Sequence, residues 1–568
     1  MTGVMKLKIR EIAIHNYRSI EEAAIRTGDY SLLIGQNNSG KSNVMDAMRT
    51  FYEKDIKFEY ERDFPKFSTA DQESWVEIEY ELSEEEAHTV SPEYLMKDCC
   101  VRLRKWFHPP DKAKRGVVAY EHGKLSNNLF YGWKSVAQGK MGNVIYIPAA
   151  SRLEDHTKFT GPSALRDLVV DILTSVLASS DAFHELRGAF SCFSQKIKEE
   201  VTPDQRSISQ LESRINAEIE DWGVRFTLDV TFPDEGDIVR NLLRHALRDS
   251  DLAVEMSPEA FGHGLQRHLI FTLIRVAASY STRLQSLRQK GGFSPDLDLL
   301  LFEEPEAFLH PPQQDALDTS LRQLAARQNC QVIAVTHSPL FVSCNTDDLV
   351  NLIRVRRDSG KTRVAQVSKA QLQQIFEDNQ RIREVLSSSD KGNGESIELE
   401  AVRHFLWLNP ERSSMFFANY VLIVEGLSEQ VLINHFIKTG KLPGGKGLFV
   451  LNAEGKYNIH RFMNLLGALG IAHAVLHDED SGSKQHECLN KLIRETKNEF
   501  TRAIDTFRTN LEDFLGYCAD NERWKKAAQI FAAVLRNQIS EDRIDAFIDK
   551  VRALVKQPDC CESPLCNS

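Results

Sequence analysis

Ser31-Leu32-Leu33-Ile34-Gly35-Gln36-Asn37-Asn38-Ser39-Gly40-Lys41-Ser42 joins an apolar run to a glycine-bounded loop and the start of a helical pattern. Its last eight residues fit G-x-x-x-x-G-K-[ST], with the strand before and the helix after that the motif requires. The helix is predicted from Ser42 to Tyr52, with Val44, Met48 and Phe51 on one side. Backbone N–H groups of such a loop, around Asn38 and Gly40, converge on phosphate oxygens at a helix N-terminus. Lys41 is then placed to reach β- and γ-phosphates, and the Ser42 hydroxyl to ligate Mg²⁺. An α/β fold with a nucleotide site is the first expectation.

Working outward, the first 60 residues read strand, loop, strand, loop, helix, with Ile9, Ile12 and Ile14 in the first extended run. Val76, Ile78, Tyr80 and Leu82 alternate with Glu77, Glu79 and Glu81, a period of two that predicts a half-buried antiparallel strand. Leu297 to Phe302 and the run QVIAVTHSP (331–339) are nearly uninterrupted apolar strands, suited to the middle of a parallel sheet covered on both faces. The first of these ends in Glu303-Glu304, where the carboxyl end of a central strand meets ligands. Glu303 is expected to hold Mg²⁺ through water, and Glu304 to orient an attacking water. His337 follows the next core strand and is placed to touch a γ-phosphate.

These residues resemble the ABC-type ATPases of the SMC and RecF kind. Asn16-Tyr17-Arg18-Ser19-Ile20 looks like their N-terminal signature, Phe302 to Pro311 like their Walker B and D-loop, and His337 like the switch histidine. Phe261-Gly262-His263-Gly264-Leu265-Gln266-Arg267 stands where their signature motif precedes a helix, with Gly264 the nucleotide-facing candidate. It lacks the serine inside the glycine turn, and Glu303 replaces the commoner Asp. The resemblance implies ATP sandwiched between two modules of a dimer.

A second site follows the strand Tyr420–Val424. Glu425 ends that strand, Gly426 allows a turn, and Glu429 lies one helical turn on, so both carboxylates are expected to meet one ion. Ala474-Val475-Leu476-His477 leads into Asp478-Glu479-Asp480, whose period of two is expected to point both aspartates the same way. Four convergent carboxylates call for a hard cation such as Mg²⁺ or Mn²⁺. The set resembles a Toprim domain of the OLD (overcoming lysogenization defect) family. On that resemblance Asn452 to Lys456 is the "GK" turn, Glu512 in Asn510-Leu511-Glu512-Asp513 supplies another metal-site acid, and Lys525 or Lys526 stands near the scissile phosphate.

Composition bounds the rest. At 568 residues the chain predicts several domains. We expect an ABC ATPase N-terminal part over 1–155, a helical insertion over 156–245 and an ABC C-terminal part over 246–375. A linker (376–415), a Toprim domain (416–555) and a tail (556–568) follow. In the insertion, Leu165, Leu168, Ile172 and Val176, then Ile208, Leu211, Ile215, Ile219 and Trp222, repeat at helical spacing. Those faces pack either against a second copy or within the chain.

No apolar run is long enough to span a bilayer, and the first twenty residues lack a signal peptide's apolar core, so a cytoplasmic protein is expected. Ten cysteines make no disulfide framework, and Cys560, Cys561 and Cys566 read as a reduced tail. The net charge of −11 leaves nucleic-acid binding to local patches. Arg102–Lys105, and Arg354, Arg356, Arg357, Lys361 and Arg363, are either such patches or solvated strand faces.

The whole-chain expectation is an ATP-regulated, metal-dependent DNA endonuclease. The resemblance implies antiphage defence, with a second defence protein or a retron reverse transcriptase and its DNA–RNA product as partner. The competing expectation is an ATP-switched nucleic-acid sensor or repair clamp that does not cut.

Overall fold

The computed structural model describes residues 7–110, 116–133, 143–149, 297–342, 346–375, 410–518 and 523–555 apart from short gaps, and scattered stretches between 173 and 272. Residues 378–409 of the expected linker (376–415), the cysteine tail, and Leu165, Leu168 and Ile172 lie outside the described residues. Two contact units divide the chain: Met1–Val144 with Phe293–Ser568, and Ile145–Gly292.

In the first unit, β1 (Lys8–Tyr17), β2 (Ile20–Arg26), β3 (Tyr30–Ile34), β4 (Ser74–Glu81), β5 (Cys100–His108), β6 (Val117–Glu121) and β7 (Lys124–Leu129) precede β8 (Asp298–Glu303). β9 (Cys330–Val335), β10 (Leu352–Asp358) and β11 (Lys361–Ala365) follow, and these eleven strands of a twelve-stranded mixed sheet run β7-β6-β5-β4-β1-β2-β11-β10-β3-β9-β8. β8, β9, β3 and β10 are mutually parallel, as the apolar runs predict, while β1, β2 and β4 to β7 pair antiparallel. The expected loop after β1 is instead strand β2. Its alternation, Ile20, Ala23 and Ile25 inward against Glu22, Ala24 and Arg26, is short and weakly apolar, but a hairpin partner stabilises it.

Strand β4 departs from the half-buried expectation. Val76, Ile78 and Tyr80 are buried, but Glu77 and Glu79 on the other face are only 5% and 9% exposed. In register, β5 sets Arg102 opposite Glu79 and Arg104 opposite Glu77, with Nε-to-carboxylate bonds of 2.9 and 2.8 Å. Arg104 also lies 3.7 Å over the Trp75 ring. Lys105 Nζ donates to the carbonyls of Thr50 (2.7 Å) and Phe51 (2.9 Å), a cation at the C-terminal end of helix α1 (Lys41–Tyr52). The run Arg102–Lys105 is therefore consumed by internal pairing and is not a nucleic-acid patch.

The C-terminal part of the same unit is a four-stranded parallel sheet, order β13-β12-β14-β15. Its strands are β12 (Tyr420–Val424), β13 (Leu448–Asn452), β14 (Ala472–Asp478) and β15 (Thr501–Phe507). After α2 (Pro311–Ala325) in the first sheet's region come α3 (Leu427–Lys438), α4 (Lys456–Ala468), α5 (Lys484–Glu495), α6 (Leu511–Leu515), α7 (Arg523–Leu535) and α8 (Glu541–Val555). β12 is buried at every residue, as a central strand with both faces covered must be, and Leu422, Val424, Phe436, Leu476, Phe507, Ile530 and Phe547 share its core.

The second unit contains helix Asp181–Glu199, which no apolar repeat in the sequence analysis marks, and helix Ile208–Ile219, which coincides with the second repeat. Leu186, Phe193 and Leu211 on them are 51%, 48% and 51% exposed in the single chain. Phe261 and Gly262 precede a helical turn at Gly264–Gln266, and Gln266 Nε2 donates to the Phe261 carbonyl at 2.8 Å. His263 and Arg267 lie outside the described residues.

Candidate active site

The phosphate loop leaves β3 and enters α1 through Gly40, whose φ of 105° belongs to glycine. A Cβ there would sit 2.1 Å from Thr362 Oγ1, so the position admits no side chain on steric grounds either. Thr362 Oγ1 in turn donates to the Ser39 carbonyl at 3.0 Å, pinning the loop from β11. Asn38, Gly40, Lys41, Ser42, Glu303, Glu304 and His337 line one cavity of about 290 Å³. Of the nucleotide residues expected, Gly264 alone lies in the other contact unit.

Lys41 Nζ donates to the carbonyls of Gly35 (2.9 Å) and Gln36 (2.7 Å). Desolvation brings its pKa down to about 8 against the pull of Glu304, Glu303 and Glu306. A cation drawn from water onto two neutral carbonyls suits a site where phosphate oxygens would take their place. His337 Nε2 lies 3.6 Å from Glu304 Oε1, and burial, then Lys41, push its pKa down. Its backbone N–H donates to Glu306 Oε1 at 2.6 Å. Glu306 is thus the clamp between the two loops, a role nothing in its spacing announces. The signature turn Asn16–Ile20 is the β1–β2 connection: Arg18 donates to Asp63 (2.9 Å) and Asp46 (2.5 Å), bracing the start of α1.

At the second site, β12 and β14 lie side by side and parallel, so their C-terminal ends bring Glu425 and Asp478 together. The Asp478 N–H donates to Glu425 Oε2 at 3.1 Å. Carboxylate oxygens of Glu425, Asp478 and Asp480 all lie within 4.8 Å of one another. Asp480 does not arrive by strand alternation. The strand ends at Asp478, and Asp480 follows in a turn with φ 49°, its carboxylate held by Lys456 Nζ and His486 Nδ1, each at 2.8 Å. Lys456 opens α4 and is 2% exposed. The Gly455 N–H before it donates to the Glu425 carbonyl at 2.8 Å, which locks the "GK" turn onto the first acid. His486, on α5, carries no sequence signal that points to this role.

Glu429 lies on the first turn of α3, buried beside Glu425 but outside that tight trio. Glu512, in the first turn of α6, pairs with Lys526 Nζ at 2.7 Å, and the Lys526 charge lowers the pKa of Asp478 and Glu429 against their burial. Burial, then the charges of Glu429, Glu425 and Asp480, push Asp478 up to about 8. Burial and Glu425 raise Glu429 to about 7, and burial raises Glu425 as well. Burial acts on Asp480 in the same direction, but hydrogen bonds from Lys456 and His486 outweigh it and hold its pKa below the ordinary value. Asp478 Oδ1 is buried with no hydrogen-bond partner. An orphaned acceptor among mutually repelling carboxylates fits a hard divalent cation, with Glu425, Asp478 and Asp480 as its first donors.

Comparison with known proteins agrees with both halves. Residues 416–480 match the family model described as overcoming lysogenization defect protein-like, TOPRIM domain. Residues 7–221 and 165–342 match the AAA ATPase domain model. "Old nuclease" of Escherichia phage P2 is 23% identical over 89% of this chain and 82% of its own length. "Endonuclease GajA" of Bacillus cereus is 23% identical over 87% of this chain and 81% of its own. Among solved structures, an SMC head bound to the C-winged helix domain of ScpA overlaps 64% of this chain and 98% of that one, at 15% identity and a TM-score of 0.36. Among the described residues no helix is long and apolar enough to cross a membrane. The chain thus belongs with the AAA ATPase domain proteins, carries an OLD-like Toprim domain after that domain, and is similar along most of its length to proteins named Old nuclease and Endonuclease GajA.

Proposed function

We propose that the chain is an ATP-regulated, divalent-metal-dependent DNA endonuclease that acts in defence against bacteriophage. The observation that carries the proposal is the acid trio Glu425, Asp478 and Asp480 at the carboxyl edge of a parallel sheet, with a buried, unpartnered oxygen on Asp478. Mg²⁺ or Mn²⁺ is the cation such oxygens select. Bound there, a divalent pair supplies an activated water and stabilises the leaving oxygen of a phosphodiester. Glu425 and Asp478 hold the trio's central position, and Lys456 with His486 fixes the rotamer of Asp480. Glu429, behind them, completes the negative field, and Lys526, paired with Glu512 and near enough to act on Asp478 and Glu429, is the cation we place beside the scissile phosphate, with Lys525 the alternative. Residues 416–555 form the Toprim body in this reading, and 376–415 the linker before it.

At the first site, Lys41 and the loop N–H groups of Asn38 and Gly40 bind the phosphates of ATP. Ser42 and Glu303 provide oxygen ligands for its Mg²⁺, Glu304 orients water, and His337 senses the γ-phosphate. Gly264 comes from a second copy, and the exposed apolar residues Leu186, Phe193 and Leu211 support a homodimer through the helical insertion. The family resemblance supports a second defence protein, or a retron reverse transcriptase with its DNA–RNA product, as the cellular partner, and a cytoplasmic setting.

The test is plasmid cleavage in Mg²⁺ or Mn²⁺, with and without ATP, by the wild type, Lys41→Ala and Glu425→Ala. We expect no cleavage by Glu425→Ala. ATP should change the wild-type rate and leave Lys41→Ala unaffected. Equal rates with and without ATP in both wild type and Lys41→Ala would sink the regulatory part. Cleavage surviving Glu425→Ala would sink the metal-site part.

A further inference from the structure

Arg354 stands in β10 opposite Ile34, the last residue of β3 before the phosphate loop. The charge pattern marks it as one more cation of an exposed hairpin, yet it is 5% exposed. Its guanidinium donates to four backbone carbonyls in the Toprim part: Phe416 (3.3 Å), Ala418 (2.9 Å), Leu469 (3.4 Å) and Gly470 (3.0 Å). Desolvation, then Arg356, brings its pKa down to about 10, the mark of a buried cation held by carbonyl dipoles.

The placement of those four carbonyls matters more than their number. Phe416 and Ala418 lead into β12, which ends one residue before Glu425. Leu469 and Gly470 lead into β14, which ends at Asp478. The two strands are neighbours in register, Tyr420 opposite Ala472. One rigid fork therefore fixes the entry ends of both strands whose exit ends carry the acid trio. At about 3.3 Å per residue these strands are stiff struts of roughly 16 and 23 Å, so a shift at one end reappears at the other.

A second contact touches the loop itself. Asn419 Nδ2 donates to Gln36 Oε1 at 3.0 Å, and the Gln36 carbonyl is one of the two that hold Lys41 Nζ. A cavity of about 170 Å³ lies between Gly35–Ser39 and Phe417 with Asn419, leaving the loop room to rearrange. Phosphate oxygens that draw Lys41 off the Gln36 carbonyl therefore act on a peptide tied to the first residues of β12.

We infer that Arg354 is the positioning residue that couples the phosphate loop to the acid trio, with Gln36–Asn419 as the nucleotide-sensitive contact beside it. This rests on the ATP-regulated nuclease reading and adds the route. Full-length wild type, Arg354→Lys and Asn419→Ala are compared by binding of a fluorescent ATP analogue and by plasmid cleavage in Mn²⁺ with and without ATP. Both variants are expected to bind the analogue as the wild type does. Their ratio of cleavage with ATP to cleavage without it should collapse toward one, by about fivefold or more. A purely structural role moves the melting temperature and leaves that ratio alone. A wild-type ratio of one removes the regulatory reading, and the inference with it. A wild-type ratio far from one that both variants retain overturns the inference alone. If Arg354→Lys does not fold, Asn419→Ala decides by the same criterion.

Discussion

Replacing Asp478 with Asn should stabilise the metal-free protein at alkaline pH while abolishing its response to metal. In the folded chain Asp478 rises from an ordinary 3.8 to about 8. At 1.36 kcal/mol per pH unit, ionising it in place costs roughly 6 kcal/mol more than in the unfolded chain. A carboxyl whose folded pKa is raised binds its proton more tightly when folded. Its contribution to stability is therefore complete below about pH 4 and is lost as pH climbs toward 8. Glu429, raised to about 7, acts in the same direction over a narrower window. Because Glu425 and Glu429 share the repulsion, the neutral amide recovers only part of the cost, on the order of 1–2 kcal/mol at pH 8.

The assay is thermal unfolding of wild type and Asp478→Asn in chelator at pH 5, 7 and 8, repeated with millimolar Mg²⁺ or Mn²⁺. The wild type without metal should lose stability from pH 5 to 8 and regain it with metal, since a ligand that binds only the folded state stabilises it. The variant should show a flatter pH profile, a melting point a few degrees above the wild type in chelator at pH 8, and no gain from metal. A variant no more stable than the wild type in chelator at pH 8 would refute the repulsion argument. A variant that still gains from metal as the wild type does would refute the ligand assignment.

Three further outcomes follow from the same geometry. Glu77→Ala strips the partner from Arg104 and part of that from Arg102 in a nearly buried layer, and should cost roughly 2–4 kcal/mol in denaturant unfolding; a cost below about 0.5 kcal/mol would show that layer to be solvated. Gly40→Ala forces a Cβ into Thr362 at a left-handed φ, and should cost about 1–3 kcal/mol and abolish ATP-analogue binding; retained binding would contradict the loop geometry. Lys526→Ala should lower cleavage by about a hundredfold while Lys525→Ala stays within a few-fold, read from single-turnover rates; equal losses would remove the distinction that the Glu512 pair draws.

Residues whose job is set by their immediate neighbours in the chain were the readable ones. The phosphate loop, the acids after β8 and the acids after β12 and β14 each sit at the end of an apolar run, where chain direction alone places them at the carboxyl edge of a sheet. The errors have a common cause in contacts across the sheet or between domains. Glu77 and Glu79 read as a solvated face because their partners Arg102 and Arg104 are more than twenty residues away, and each run looked like surface charge on its own. Strand β2 reads as loop because a short amphipathic strand is recognisable mainly by its hairpin partner. Asp480 was expected by strand alternation, but a positive-φ turn delivers it and a histidine on a later helix holds it.

Arg354 is the sharpest instance. Arginines in a run such as Ile353-Arg354-Val355-Arg356-Arg357 are indistinguishable by composition, and strand alternation separates Arg354 and Arg356 from Arg357 only by face. Within that face, what buries Arg354 and leaves Arg356 partly open is the arrival of four carbonyls from turns 62 to 116 residues later. A guanidinium suits that place because its planar set of five donors can serve several carbonyls at once, which an ammonium's compact head cannot do in the same geometry. The link between the two chemistries is thus made of backbone carbonyls, which any sequence supplies, and a single side chain whose type is common. Coupling of this kind leaves no motif, and it becomes visible only when both sheets are seen sharing one cation.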